Sequence, residues 1–139
     1  MSEEFETFCY PMLVIERHLD TFGHINNATY LEILEEARWA YIDSRGYGLK
    51  KIRETGQGPT ILEWNIKFLK EIRLRENIVI ETQTLSYEKK IGRMQQVIVN
   101  DKGETCCEAT MVFGLFDTTE RRLILPTPDW LQAVGQIAA

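Results

Sequence analysis

The sequence predicts an α+β fold in which a long central helix is wrapped by an antiparallel β-sheet of about five strands, with a short helix near the C-terminus. One stretch of helical periodicity follows a single early strand, and several stretches of two-residue alternation come after it. An antiparallel sheet with one apolar helix must bury that helix against one face, so we expect the sheet to curl around it. The open sheet edges and the second face favour self-association.

Length and composition limit the class of protein. The chain has 139 residues, of which 44% are hydrophobic and 27% charged, as in a globular protein of one domain. The net charge of −5 argues against nucleic acid as the main partner, because phosphate contacts need a surplus of Lys and Arg. There is no apolar run of membrane-span length, and the acidic start MSEEFETF lacks the features of a signal peptide. We therefore expect a cytoplasmic protein.

The first two elements are a strand and the long helix. Residues 8–20 begin as an apolar strand. Turn-forming residues follow, in which Gly23 is free to take positive φ and Asn26 or Asn27 can cap a helix. Helical periodicity then runs over residues 28–45. Its apolar positions, spaced by three and four, are Tyr30, Ile33, Leu34, Ala37, Ala40 and Tyr41.

The rest of the chain is predominantly strand. A connector with room for one helical turn leads to residues 61–70, which alternate as a half-buried strand does. Similar patterns occupy residues 77–88, 92–100 and 104–117, and the last two are joined by a hairpin-type turn at residues 101–103. The predicted inward positions are Leu62, Trp64, Ile66 and Phe68 in the first of these strands and Cys107, Ala109, Met111, Phe113 and Leu115 in the last. Thr127 as N-cap and Pro128 at the first helical position predict the terminal helix.

The cysteines and histidines predict no disulfide or metal. Cys106 and Cys107 are adjacent and Cys9 is distant, which forms no disulfide framework. Neighbouring strand residues point to opposite faces, so at most one of the adjacent pair should face the core. With two histidines and no spaced Cys/His set, a structural zinc site is not expected.

Asp20 is the candidate for chemistry. It ends an apolar strand and is followed by Gly23, whose missing side chain would let another group approach closely. The first backbone N–H groups of the helix, near Asn27, lack intrahelical acceptors and lie at the positive end of the dipole. An acid beside such donors suits attack on a carbonyl, with the acid as nucleophile or base and the amides holding the oxyanion. The structural alternative for Asp20 is a cap or turn role, which the asparagines already fill.

The stretch DTFGHINNATYLEILEEAR resembles the signature of the hotdog-fold acyl-CoA thioesterases, the 4-hydroxybenzoyl-CoA thioesterase-like family. The matching residues are Asp20, Gly23, His24, Ile25, Asn26, Asn27, Tyr30, Glu36 and Arg38. With the strand order and the later YEKKIGRM, the resemblance covers about residues 10–117. It implies a single hotdog domain over residues 1–139, with a C-terminal extension at 118–139.

The resemblance also implies an activity: hydrolysis of a fatty or aromatic acyl-CoA thioester, without metal or organic cofactor, at a site shared between subunits of a homodimer or homotetramer. It assigns Asp20 as the catalytic acid and the backbone N–H of Asn27 as the oxyanion donor. His24 either joins the catalysis, as in the related acyl-carrier-protein thioesterases, or orders the loop. Tyr30 either shapes the pocket or packs on the first turn. His18 is a departure, because many relatives carry an acid there.

Two loops contain the basic residues that suit the phosphates of coenzyme A. One carries Arg73 and Arg75, and the other surrounds Gly92. Charges in loops are often only solvated, but the resemblance favours the second group. The predicted substrate-binding residues are Gly23, Asn26, Tyr30, Lys89, Lys90 and Arg93.

Two other functions remain open at this point. A hotdog hydratase or dehydratase also pairs an acid with a His, but its usual motifs place a Pro near them, and DTFGHINN has none. A non-catalytic module that binds acyl-CoA or a protein partner is the second, against which the intact Asp20, Gly23 and Asn27 argue. The length and type of the acyl group, and the choice between coenzyme A and a carrier protein, are not encoded in any motif.

Overall fold

The structure, a computed structural model, describes residues 4–137; residues 1–3 of the acidic start and 138–139 of the predicted extension lie outside this range. A short 3-10 turn at Glu16–His18 precedes the long helix. The strands are β1 (Phe8–Leu13), β2 (Gln57–Phe68), β3 (Asn77–Glu88), β4 (Ile91–Asn100), β5 (Thr105–Asp117) and β6 (Arg122–Ile124), and the helices are α1 (Asn27–Ser44), α2 (Leu49–Thr55) and α3 (Pro128–Ala133).

The six strands form one antiparallel sheet in the order β1-β3-β4-β5-β2, with β6 paired to the end of β5. Helix α1 buries one side against this sheet through an apolar stripe. The predicted α+β arrangement, with one long helix on an antiparallel sheet and a short C-terminal helix, is therefore confirmed. The buried residues of α1 are Tyr30, Ile33, Leu34, Ala37, Tyr41 and Ile42.

The ends of α1 agree with the prediction to within one residue, but the expected side-chain cap is absent. Asn26 is the N-cap, with extended backbone angles, and its side chain accepts no hydrogen bond from the first turn. The N–H groups that a cap would satisfy are therefore left to other partners.

Strand β2 differs from its predicted pattern by one bulge. Ile61 pairs with Phe113 and Glu63 with Val112, so that Leu62 has no partner in β5. The extra residue shifts the inward positions: Ile61, not Leu62, is in line with Trp64, and the prediction for Leu62 is wrong. Two-residue alternation gives no sign of one inserted position, because the residues on both sides still alternate.

A second irregularity corrects the prediction for the cysteines. The pairing of β4 with β5 shifts between Ile98 and Val99, which leaves Cys106 as the extra residue of β5. Cys106 and Cys107 are both fully buried, so the expectation that only one would face the core is wrong. Burial raises the pKa of the Cys107 thiol to about 12, which makes this thiol unreactive at neutral pH.

The core includes residues before and after the range 10–117 that the resemblance covers. Phe5 and Trp130 are buried in one cluster with Tyr87 and Phe113. The Trp130 indole donates a hydrogen bond to the Tyr87 hydroxyl at 3.0 Å, and its ring meets Phe113 edge to face. As predicted, Thr127 caps α3, its hydroxyl accepting the N–H of Trp130. The C-terminal segment thus closes one end of the core.

One edge of the sheet is open and apolar. β2 pairs with β5 on one side, and no strand among residues 4–137 covers its other side. Ile61, Leu62 and Phe68 on this strand are 44%, 49% and 49% exposed. Exposed apolar side chains along an unpaired strand edge favour pairing with another strand. Between residues 4 and 137, no helix is both long enough and apolar enough to cross a membrane.

Candidate active site

Asp20 lies in a tight loop between the 3-10 turn and α1. Its N–H donates to the carbonyl of His24 at 3.0 Å, and the N–H of Gly23 donates back to the Asp20 carbonyl at 3.2 Å. Gly23 has φ of +84°, a conformation that glycine adopts without strain. Nothing lies within 4 Å of the position that a Cβ would take there. The glycine therefore serves the turn, and the space beside it is open.

The carboxylate of Asp20 is held but accessible. Its Oδ1 accepts the N–H of Phe22 at 2.8 Å, which is a turn interaction of the kind that Asp commonly makes. Its Oδ2 lies 3.9 Å from Nδ1 of His24, and the side chain is 26% exposed. One oxygen therefore supports the loop, while the other is available to water or a ligand.

His24 is next to this free oxygen but does not bond to it. A separation of 3.9 Å exceeds hydrogen-bond distance, and about a third of the His24 side chain is exposed. Its ring stacks on Phe22, with centroids 6.3 Å apart, and its backbone pairs with Arg73. The geometry is compatible with both predicted roles of His24, in catalysis and in ordering the loop.

The start of α1 is anchored to the rest of the molecule by its backbone. Ile25 is buried, and its N–H donates to the carbonyl of Ile72 at 3.1 Å. The N–H of Asn26 donates to the carbonyl of His18 at 3.4 Å. The side chains of Asn26 and Asn27 remain exposed. Because the Asn26 side chain does not cap the helix, the first-turn amides, including that of Asn27, receive no side-chain acceptor from it and lie at the positive end of the dipole.

A shallow pocket opens beside this helix start. Tyr30 forms part of its wall and meets Phe68 edge to face at 4.9 Å, a position compatible with both of its predicted roles. Burial raises the pKa of Tyr30 to about 12, so its hydroxyl stays protonated at neutral pH. Residues 68–71 supply the opposite wall and were missed from the sequence, where nothing in FLKE marks them. The lining residues are His24, Ile25, Asn27, Tyr30, Phe68, Leu69, Lys70 and Glu71.

The predicted substrate-binding residues divide into two groups within the chain. Gly23, Asn26 and Tyr30 lie with Asp20 near the start of β3, whereas Lys89 and Lys90 follow its end. Twelve residues of extended strand separate the two ends by roughly 40 Å. Arg93 lies near the same far end, exposed on β4.

The other basic loop lies at the Asp20 end of the sheet and is largely paired. Arg73 contacts Glu71 at 2.9 Å, and Arg75 contacts Glu16 at 2.9 Å. Lys70 forms an ion pair with Glu104. These cations are exposed and already have acidic partners within the chain.

A known family model covers most of the chain. Residues 16–135, which include the Asp20 loop, all of α1 and α3, match the family model described as the thioesterase-like superfamily. The chain belongs to this superfamily. The predictions of a thioesterase-family enzyme and of its hotdog fold are confirmed.

Similar proteins carry thioesterase names. This thioesterase-like chain is 30% identical over 110 residues to the long-chain acyl-CoA thioesterase FadM of Escherichia coli K12, over 78% of this chain and 83% of FadM. The crystal structure of the probable thioesterase YbaW from Escherichia coli is 25% identical, with a TM-score of 0.80, over 91% of this chain and 98% of that chain. A Staphylococcus aureus protein, SAV2348, solved in complex with CoA, has a TM-score of 0.87 over 98% of this chain and 89% of that chain. At 16% identity the last shows a shared fold alone.

Proposed function

We propose that this protein hydrolyses acyl-CoA thioesters to the free acid and CoA. The observation that carries the proposal is the partly exposed Asp20 carboxylate at the entry to α1, where Asn27, at a helix start without a side-chain cap, borders a pocket. The similarity to FadM, named a long-chain acyl-CoA thioesterase, supports coenzyme A as the carrier and a long acyl chain as the first substrate to test.

Two routes use the same groups. As a general base, Asp20 takes a proton from water while the water oxygen attacks the thioester carbonyl. As a nucleophile, Asp20 forms a mixed anhydride that water then hydrolyses. In both, the carbonyl oxygen becomes negatively charged and accepts the Asn27 N–H, the C–S bond breaks, and the thiolate of CoA leaves and takes up a proton. Donors of this kind typically lower the barrier by about 3 kcal/mol.

We also infer that a second copy of the chain completes the site by pairing along β2, in a homodimer or within a homotetramer. The support is the open apolar edge, in which the exposed Phe68 belongs to both the edge and the pocket beside Asn27. Antiparallel pairing of two β2 strands sets the Phe68 end of one beside the Gln57 end of the other. The sheet end with Lys89, Lys90 and Arg93 then lies on the same side as the partner's Asp20, where it is a candidate for the CoA phosphates.

An Asp20→Asn variant tests the activity. We expect release of free thiol from short, long and aromatic acyl-CoAs to fall at least about a hundredfold, because the replacement can neither attack nor accept the proton. Asp101→Asn, in the exposed β4–β5 hairpin, is the matched control. Thermal melting should show that both variants fold.

The same assay separates the alternatives. Wild-type rates in Asp20→Asn would exclude the proposed role of Asp20. Formation or consumption of an enoyl thioester without free thiol would identify a hydratase or dehydratase. Binding of CoA esters without any thiol release across the panel would identify a binding module.

A further inference from the structure

A second pocket, separate from the one beside Asn27, lies further along α1. It is bordered by α1, β2, β4, β5 and the α3 region and has a volume of about 110 Å³. Arg38 lies eleven residues after Asn27, roughly 16 Å along the helix. The pocket wall is mostly apolar, and its principal side chains are Ile42, Met94, Met111, Phe113, Trp130 and Val134.

Arg38 is the single cation in this wall. Its Nη1 donates to Oε1 of Gln96 at 2.9 Å, and its guanidinium lies over the ring of Trp64, 5.0 Å from the centroid. No carboxylate among residues 4–137 lies within 4.0 Å of it. Glu35 also borders the pocket, but as an exposed side chain. Burial lowers the pKa of Arg38 to about 10, which leaves it charged at neutral pH.

The guanidinium is held in one position by a second set of contacts. Nε2 of Gln96 donates to the carbonyl of Leu34 and to the hydroxyl of Thr82, at 2.9 and 3.0 Å. This leaves Oε1 of the fully buried Gln96 directed at Arg38. A guanidinium has five N–H donors, and Gln96 is the single hydrogen-bond acceptor that the described residues provide. A half-buried guanidinium that is held in place and has unused donors is suited to a ligand that brings an oxygen acceptor.

The mouth of this pocket lies on the open sheet edge. Pro59 and Ile61 of β2 line it, and Ile61 is 44% exposed. In the inferred antiparallel β2–β2 pair, the Gln57 end of one strand, with Pro59, lies beside the Phe68 end of the partner's strand, and Phe68 borders the pocket beside Asn27. The two pockets of different protomers therefore become neighbours.

We propose that this pocket receives the distal end of the acyl group whose thioester is bound at the partner's Asp20, and that Arg38 selects acyl chains with an oxygen acceptor, a hydroxyl or keto group, on that end. This rests on the proposed hydrolysis of acyl-CoA and on pairing along β2. An unsubstituted chain fills the apolar wall but leaves the donors of Arg38 unused.

Matched substrates test the selection. Saturated acyl-CoAs of eight to sixteen carbons are compared with their ω-hydroxy forms on the wild-type protein. At the chain length that reaches Arg38, we expect kcat/KM to favour the hydroxylated form by about tenfold, the size of one hydrogen bond to a charged donor. Arg38→Met, of similar length but uncharged, should abolish this preference, and Arg38→Lys should retain part of it.

Measuring the binding of CoA esters tests the role of Arg38 independently of turnover. The dissociation constants of the same CoA esters are measured by calorimetry on Asp20→Asn and on Asp20→Asn/Arg38→Met. If no ester is hydrolysed by the wild type, the proposed function fails, while tighter binding of the hydroxylated ester that depends on Arg38 still supports the pocket. Equal affinity and equal rates for the saturated and the ω-hydroxy esters at every chain length would overturn the proposed selection by Arg38. Dissociation of the dimer in Arg38→Met would also overturn it, because Arg38 would then pair with the second copy instead of a substrate.

Mixed dimers test which subunit supplies the pocket. Asp20→Asn lacks the acid, and Ile61→Trp blocks the mouth, so neither homodimer should hydrolyse long chains. If the pocket acts across the interface, one site in each mixed dimer is intact, and an equal mixture should recover about a quarter of the wild-type long-chain rate. No recovery in verified mixed dimers would show that the pocket does not serve the partner's site.

Discussion

His18 connects two parts of the backbone that flank Asp20. Its Nδ1 accepts the N–H of Ile15 at 3.0 Å, and its carbonyl accepts the N–H of Asn26. The side chain is buried, which lowers its pKa, and the neighbouring charge of Arg17 lowers it further. The ring is therefore neutral at neutral pH, with its proton on Nε2. His18 therefore helps to position the loop that carries Asp20.

Protonation of His18 is predicted to destabilise the fold. A histidine with a lowered folded-state pKa binds protons more readily in the unfolded chain, so stability is fully present above about pH 6.5 and is lost as pH falls toward the folded-state value. The urea midpoint of unfolding, measured from pH 8 to 5.5, should decrease below about pH 6.5 in the wild type and change less in His18→Gln.

The second histidine provides the control. His24→Gln removes a partly exposed ring and should leave the pH dependence in place. If the urea midpoint of His18→Gln depends on pH as the wild type does, another group causes the effect. The same follows if His24→Gln loses the pH dependence.

At the scale of elements, the open edge of β2 gives a direct test of assembly. Leu62 is 49% exposed and, as the bulge residue, has no partner in β5, so its replacement leaves that ladder intact. Leu62→Asp should dissociate the assembly in sedimentation and reduce acyl-CoA hydrolysis with it, since a charge on an edge strand opposes pairing.

Leu125→Asp is the matched control, because Leu125 is 61% exposed but follows β6 and lies outside the edge. It should keep both the assembly and the activity. Unchanged sedimentation of Leu62→Asp would exclude β2 as the interface.

The sequence predicted the type and order of these elements more accurately than which residues of each strand point to the core. The α1 limits and the five inward positions of β5 agree with the structure because several periods of a regular pattern support each of them. The errors at Leu62 and Cys106 both come from bulges. A bulge depends on how two distant strands align, and no composition marks it within one strand.

At the scale of the whole molecule, α3 is part of the core. Trp130→Ala removes a fully buried ring that contacts Tyr47 and Phe113 and donates to Tyr87. We expect the free energy of unfolding to decrease by about 3–5 kcal/mol, as for other large-to-small core changes.

Urea denaturation measures this loss. Gln132→Ala, an exposed change in the same helix, should stay within about 0.5 kcal/mol of the wild type. A similarly small effect of Trp130→Ala would mean that α3 is dispensable and that the segment after residue 117 is only an extension.

The candidate site was predictable only where it is local in sequence. Asp20, His24 and Asn27 occupy one short stretch, and their types and spacing indicate carbonyl chemistry. The wall at residues 68–71 comes from more than forty residues downstream and meets the helix start only because the chain returns there through β2. Arg38 was part of the quoted signature, but its burial depends on Gln96 and Trp64, which lie on different strands.

The open β2 edge also carries a risk for each newly made chain. Until it is covered, the unpaired backbone groups of this apolar strand can pair with a strand of another protein. Such pairing is the first step toward an aggregate. Glu63, Asn65 and Lys67 alternate with them as exposed polar residues on the same strand. Charged residues at such positions disfavour unspecific stacking of strands. The charges of Glu63 and Lys67 would then protect the chain during the interval between folding and assembly.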